Sequence, residues 1–220
     1  MSLGLKKRMT KTKWLLQLGF VLALSAGIFG LIEPVYLTIK ASVAQRLLES
    51  AWQKSRLNPL QDVKPWPWAD SWPVFKLILK QSADSRGSLS YPSNSSPPKT
   101  ASYIVLADAS GESLAFAPGL MTSYLYPGEL GNSLVAAHRD THFAFLAHMK
   151  VGDKLEVEYK DGSRLRFNVD LLKIIDSRVE SPVIDLDEAR LTLVTCYPFE
   201  QSSQQTDLRL LISGKLVNEG

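Results

Sequence analysis

The sequence predicts an all-β domain, barrel or sandwich, set behind one apolar helix. Three observations carry that reading. From residue 103 onward, short apolar runs alternate with turn signals at short intervals, as an all-β domain requires. Near the C-terminus, Leu191-Thr192-Leu193-Val194-Thr195-Cys196 forms an unbroken row of strand-favouring residues, and Tyr197-Pro198-Phe199 ends it, because proline has no N–H for a ladder. Residues 14–32 carry no charge at all. With 220 residues, 45% apolar and 21% charged, the chain can build one sizeable core with appendages.

The N-terminus comes first. Lys6, Lys7, Arg8, Lys11 and Lys13 precede the apolar run, and no acidic residue does. The net charge of +3 less these five leaves −2 for the remainder. The basic balance is therefore a membrane-flanking cluster, and nucleic acid is not an expected partner. Residues 1–13 read as a cytoplasmic basic tail and 14–34 as a helix of the length that crosses a bilayer. A cleaved signal peptide competes with this, since Ser25-Ala26-Gly27 offers small residues for cleavage. Apolar residues continue through Ile28, Phe29, Leu31 and Ile32, which favours an uncleaved anchor. Positive residues stay in the cytoplasm, so everything after Glu33 is expected outside it.

Residues 35–63 read as a helical stalk. Leu37, Ala41, Ala44, Leu47, Leu48 and Ala51 recur near helical spacing, and Asn58-Pro59 ends the run. The domain proper is 64–220. It opens on Lys64-Pro65-Trp66-Pro67-Trp68-Ala69-Asp70-Ser71-Trp72-Pro73, whose prolines exclude a regular helix. Such a segment suits packing on the domain or lying in a membrane interface. A first strand is expected over 75–79. Residues 81–102, rich in Ser, Pro and Asn, are expected as a flexible insertion.

Strands are then expected over 103–107 and 113–116, flanking Asp108-Ala109-Ser110-Gly111, and over 132–137. Pro118-Gly119 and Pro127-Gly128 punctuate the loop between. Residues 154–159 and 164–169 flank Lys160-Asp161-Gly162-Ser163 as a hairpin. One helical turn or two is expected over 142–149. No internal repeat is visible.

Cys196 is the single cysteine. A lone Cys is by default a small buried hydrophobe, but structural cysteines of exported proteins usually pair. An unpaired one at the lip of a strand therefore points to chemistry. Of the three histidines, His138 follows Leu134-Val135-Ala136-Ala137 and so ends a strand too, whereas His142 and His148 flank the apolar Phe143-Ala144-Phe145-Leu146. A structural role is the ordinary one for each. His138 and His142 could ligate zinc from one helix, yet Cys196 is the only thiol and no His-Glu-x-x-His occurs. Neither a metal nor a cofactor is expected. Arg209 belongs to the last strand, 13 residues beyond Cys196 on what should be one hairpin, which brings guanidinium and thiol to one end of a sheet.

Taken together these residues resemble the sortases. The family signature Thr-Leu-x-Thr-Cys is matched by Thr192-Leu193-Val194-Thr195-Cys196, with His138 upstream and Arg209 on the following strand. Pro65-Trp66-Pro67-Trp68-Ala69-Asp70, Leu114-Ala115-Phe116-Ala117-Pro118-Gly119 and His138-Arg139-Asp140-Thr141-His142-Phe143 are similar to the Gram-negative group called class GN. Two departures stand out: Ala137 occupies a position often held by Gly, and 81–102 falls where a short connection is usual.

The resemblance implies a closed eight-stranded β-barrel with short helices and a cysteine transpeptidase. It implies Cys196 as nucleophile, His138 as general acid, Arg209 as oxyanion or substrate holder and Thr195 in support. The partners implied are a membrane-tethered protein bearing a C-terminal sorting signal of the Leu-Pro-x-Thr-Gly type, and an amine acceptor. The location implied is the inner membrane, single-pass, with the barrel in the periplasm. Two alternatives stay open at this point: an exported cysteine peptidase of another fold, and an anchored β-barrel that only binds.

Overall fold

The structure, a computed structural model, describes residues 11–81, 100–121, 125–181, 187–199 and 206–217. The chain forms two compact units, Met1–Ala44 and Gln45–Gly220. Helix α1 spans Lys11–Leu57. Among the described residues no helix is long and apolar enough to cross a membrane. The side chains of most residues from 26 to 38 lie outside them, as does 82–99 of the expected insertion.

The second unit is a closed eight-stranded barrel, as the resemblance implies. Its strands are β1 (Pro73–Lys80), β2 (Thr100–Leu106), β3 (Gly119–Leu120), β4 (Gly131–Ala136), β5 (Lys154–Tyr159), β6 (Arg164–Asp176), β7 (Ala189–Cys196) and β8 (Leu208–Leu216). Around the barrel they run β1-β2-β3-β4-β7-β8-β6-β5. Among the described residues, only the β2–β3 and β4–β7 pairings are parallel. Alternation decides which side chains enter the core. Phe75, Leu77 and Leu79 of β1, Leu155 and Val157 of β5, Leu191 and Leu193 of β7, and Leu210 and Ile212 of β8 are buried together inside.

Residues 45–57, the end of α1 that the sequence assigns to the stalk, pack within this second unit. Gln45 Nε2 donates to the Phe116 carbonyl at 2.6 Å. Leu48 clusters with Leu106 and Ala117, and Arg56 pairs with Glu158 at 3.2 Å. Trp66 sets its ring edge-on to Phe116 at 4.9 Å. The Trp-Pro segment thus packs on the domain through at least this ring.

Three expected elements differ. Residues 113–116 are not a strand, because the backbone turns into a short helix, α2 (Gly111–Leu114). Asp108 accepts from the Ser110 N–H at 2.6 Å and from the Ser113 hydroxyl at 3.3 Å, and Ser110 caps the turn. Such local bonds compete with a ladder for the backbone. The helical turn expected over 142–149 is a 3₁₀ segment at Ala144–His148. Strand β6 continues past residue 169 to Asp176, through a register shift between Val169 and Leu171.

Strand β3, in an expected loop, depends on Gly119. A Cβ there would lie 2.1 Å from the Asp108 carbonyl oxygen and 2.7 Å from the Ala109 Cα. Because those atoms are backbone, the loop itself must move. Gly119→Ala is expected to destabilise by about 1–3 kcal/mol, read as a lower urea midpoint. An unchanged midpoint contradicts the close approach.

A second expectation concerns acid. Glu156, buried on the outer face of β5, pairs with Lys80 at 2.6 Å and Arg164 at 2.9 Å. Burial pushes its carboxyl up, but Lys80, Arg164 and Arg166 outweigh that and hold it below its usual range. A depressed carboxyl stabilises the fold above its unfolded value, and that contribution is lost as pH falls through the folded one. Thermal stability should therefore fall below about pH 4.3, and Glu156→Gln should flatten the fall. An identical acid limb in the variant contradicts this.

Candidate active site

The site gathers where β7 and β8 meet. Cys196 ends β7, and its Cα lies opposite that of Arg209 in the antiparallel register. The Tyr197 N–H bonds to the Leu208 carbonyl at 3.0 Å. That makes 197 and 208 the hydrogen-bonded pair, and 196 with 209 the closer, non-hydrogen-bonded kind. Directly opposite residues share a face, with Cβ atoms roughly 4.5–5.5 Å apart. Because Leu191 and Leu193 point into the core, Cys196 projects from the barrel's outer face, a free, half-buried thiol.

His138 arrives from the other side of β7. Strand β4 runs parallel to β7 with Ala136 beside Val194. Ala137 prolongs the ladder, its N–H bonding to the Val194 carbonyl at 3.3 Å. His138 follows Ala137 directly, two residues past the end of β4, while β7 runs two residues past Val194 to Cys196. Cys196 and Arg209 thus face each other across β7 and β8, and His138 lies just past the end of β4, the strand on the other side of β7. His138 is exposed and Arg209 half-buried.

Thr195 is turned away from the thiol face. Its hydroxyl donates to the Ala137 carbonyl at 2.8 Å, and its side chain is buried. It ties β7 to β4 one residue before His138. The Arg209 Nη1 donates to the carbonyls of Thr206 and Leu208 at 2.5 and 2.9 Å, which holds the guanidinium at its own end of the hairpin.

The other histidines stand elsewhere. His142 sits with its ring 6.0 Å from that of Tyr103, beside a pocket of about 200 Å³ shared with Gln45, Glu49 and Lys76. Burial lowers its pKa and the charge of His138 lowers it further, against a raising bond to the Phe116 carbonyl. The net shift favours the neutral ring. Burial also lowers His148, whose backbone carbonyl accepts from Gln81 at 3.1 Å.

Sequence reasoning passed over Arg139. Its side chain is buried and its Nη1 donates to the Pro198 carbonyl at 2.6 Å. The available signal was a cation placed directly after a strand-ending histidine.

Comparison with known proteins bears on the family and the fold. The family described as Sortase domain matches residues 97–217. Sortase D of Bacillus subtilis is 32% identical over 94 residues, which are 42% of this chain and 46% of that protein. The chain thus spans about half the length of that relative. Among solved structures, the lid mutant of Streptococcus agalactiae sortase C1 is similar with a TM-score of 0.52 and 21% identity, covering 81% of this chain and 90% of that one. The complex of the same sortase with MTSET gives 0.52 and 22%, covering 81% and 92%. At such identities the likeness speaks for the fold.

Proposed function

Since the chain belongs to the sortase family, we propose that it is a cysteine transpeptidase that cuts a C-terminal sorting signal and passes the acyl group to an amine. The observation that carries this reading is Cys196 at the end of β7, opposite Arg209 of β8, with His138 two residues past the end of the neighbouring β4. The Cys196 thiolate attacks the carbonyl of the scissile peptide bond, a task suited to sulfur. The oxyanion that forms faces Arg209, a permanent cation. His138, as imidazolium, gives its proton to the leaving amine as the C–N bond breaks, and the acyl group stays on sulfur as a thioester. An incoming amine attacks that thioester, His138 takes its proton, and the thiolate leaves. Thr195 acts at one remove, fixing the distance between β7 and the end of β4.

The signal is of the Leu-Pro-x-Thr-Gly type, and the similarities quoted above favour class GN. The uncharged run at 14–32 and the basic residues before it support an inner-membrane anchor with the barrel in the periplasm. Such an anchor holds enzyme and tethered substrate in one plane, raising effective concentration. Protease added to spheroplasts should digest the barrel, and a mature N-terminus near residue 28 contradicts the anchor.

The reading is tested with a sorting-signal peptide and a soluble amine such as triglycine. Mass spectrometry should show the acyl fragment joined to the amine by the wild type and not by Cys196→Ala. Release of the free acid alone, at any amine concentration, overturns the transferase reading.

A further inference from the structure

Arg139 follows His138 directly, yet its side chain is turned inward, with 5% exposed. Taking a guanidinium out of water is costly unless its donors are met. Here Nη1 reaches the Pro198 carbonyl at 2.6 Å, and Nε lies 3.4 Å from the Asp140 carboxylate. Pro198 stands two residues after Cys196. A single side chain thus spans from the residue after the histidine to the turn after the cysteine.

This connection begins where the ladder stops. Strands β4 and β7 end at Ala136 and Cys196, and the Ala137–Val194 bond is the continuation of their pairing. Past it β7 runs on to Cys196, and the chain then turns on both sides. The turn after β4 is built on His138 itself, whose carbonyl accepts from the Phe143 N–H at 3.1 Å, and Phe143 is fully buried. The turn after β7 is seated by Phe199, which is also in the core. Whatever sets the spacing of these two turns bears on where His138 lies relative to Cys196.

We propose that Arg139 is a positioning residue for amine transfer, clamping the turn after β4 to the turn after β7 so that His138 stays in line with Cys196. This rests on the roles given above to His138 and Cys196. The guanidinium suits the task because it is planar and carries several donors in fixed directions, so it can hold a carbonyl and a carboxylate at once. An ammonium keeps the charge and loses that geometry.

Arg139→Lys is the test, with two readouts on the full chain. Transfer to triglycine should show kcat lowered by about 10- to 100-fold with KM within about 3-fold, since a small misplacement of a proton donor falls on the chemical step. Amide hydrogen exchange, which needs no substrate, should quicken about tenfold or more at Phe143 and Tyr197 while Leu193 in β7 is unchanged. A folded Arg139→Lys protein with both turns still protected overturns the clamp. Loosened turns with wild-type kcat overturn its role in positioning. Should Arg139→Lys not fold, Asp140→Asn decides. Its carboxylate is part-exposed, so the core is untouched. Exchange at Phe143 and Tyr197 about threefold faster or more supports the clamp, and unchanged exchange overturns it. If the wild type transfers no sorting-signal peptide while Arg139→Lys still loosens both turns, the clamp stands and the transpeptidase reading falls.

Discussion

His138→Ala is expected to lower kcat for amine transfer by roughly 10²- to 10⁴-fold, the range a positioned general acid and base supplies. The effect should be large because expulsion of an unprotonated amine is unfavourable, and His138 closely follows β4, the strand that pairs with the one carrying the thiol. Cys196 should still react with iodoacetamide in the variant, since its access from the outer face does not depend on His138. His142→Ala and His148→Ala should stay within about threefold of wild type. Burial lowers the His142 pKa, and a neutral imidazole is too weak an acid to protonate the leaving amine. Rates for the three alanine variants on one peptide settle the matter. Full activity in His138→Ala, with loss in His142→Ala, would move the general acid to the turn before the 3₁₀ segment.

Arg209→Lys is expected to cost about 10²-fold in kcat/KM, as removal of an oxyanion donor commonly does. In the native hairpin one nitrogen of the guanidinium already serves the carbonyls of Thr206 and Leu208. Those bonds aim the planar group, so that its remaining edge has a fixed direction. A lysine can satisfy the carbonyls or reach toward the thiol, and its single ammonium has no geometry for both. Thermal unfolding should change little, because Arg209 is half-buried on the outer face and outside the core. Near-normal turnover with unchanged unfolding would reduce Arg209 to a structural residue.

What could be read in the sequence was whatever depends on period and on neighbours in the chain. Alternation and the proline after Tyr197 placed Cys196 at the end of a strand. One loop of modest length was enough to bring Arg209 opposite it. His138 was found near a strand end, but its place relative to Cys196 depends on a parallel pairing between segments 58 residues apart. Periodicity carries no such information; the family resemblance supplied it. The strand expected at 113–116 failed because the Asp108 and Ser110 side chains accept the Ser110 and Ser113 N–H groups locally, an effect stronger than the propensity of Leu114 and Phe116. The end of α1 read as a stalk because its apolar spacing shows a buried face without showing which surface buries it. Leu48 in fact meets Leu106 and Ala117. Arg139 was invisible for a related reason, since a charged residue in a loop is exposed by default and only the fold supplies the Pro198 carbonyl.

The central claim is that Cys196 carries the acyl group. Sorting-signal peptide incubated with the wild-type protein in the absence of amine, quenched in acid and digested, tests it directly by mass spectrometry. The account predicts that the Cys196-containing peptide gains the mass of the acyl fragment, that the adduct disappears when triglycine is added, and that Cys196→Ala forms none. Cleavage of the peptide with an unmodified Cys196, or an adduct that persists in Cys196→Ala, would contradict it.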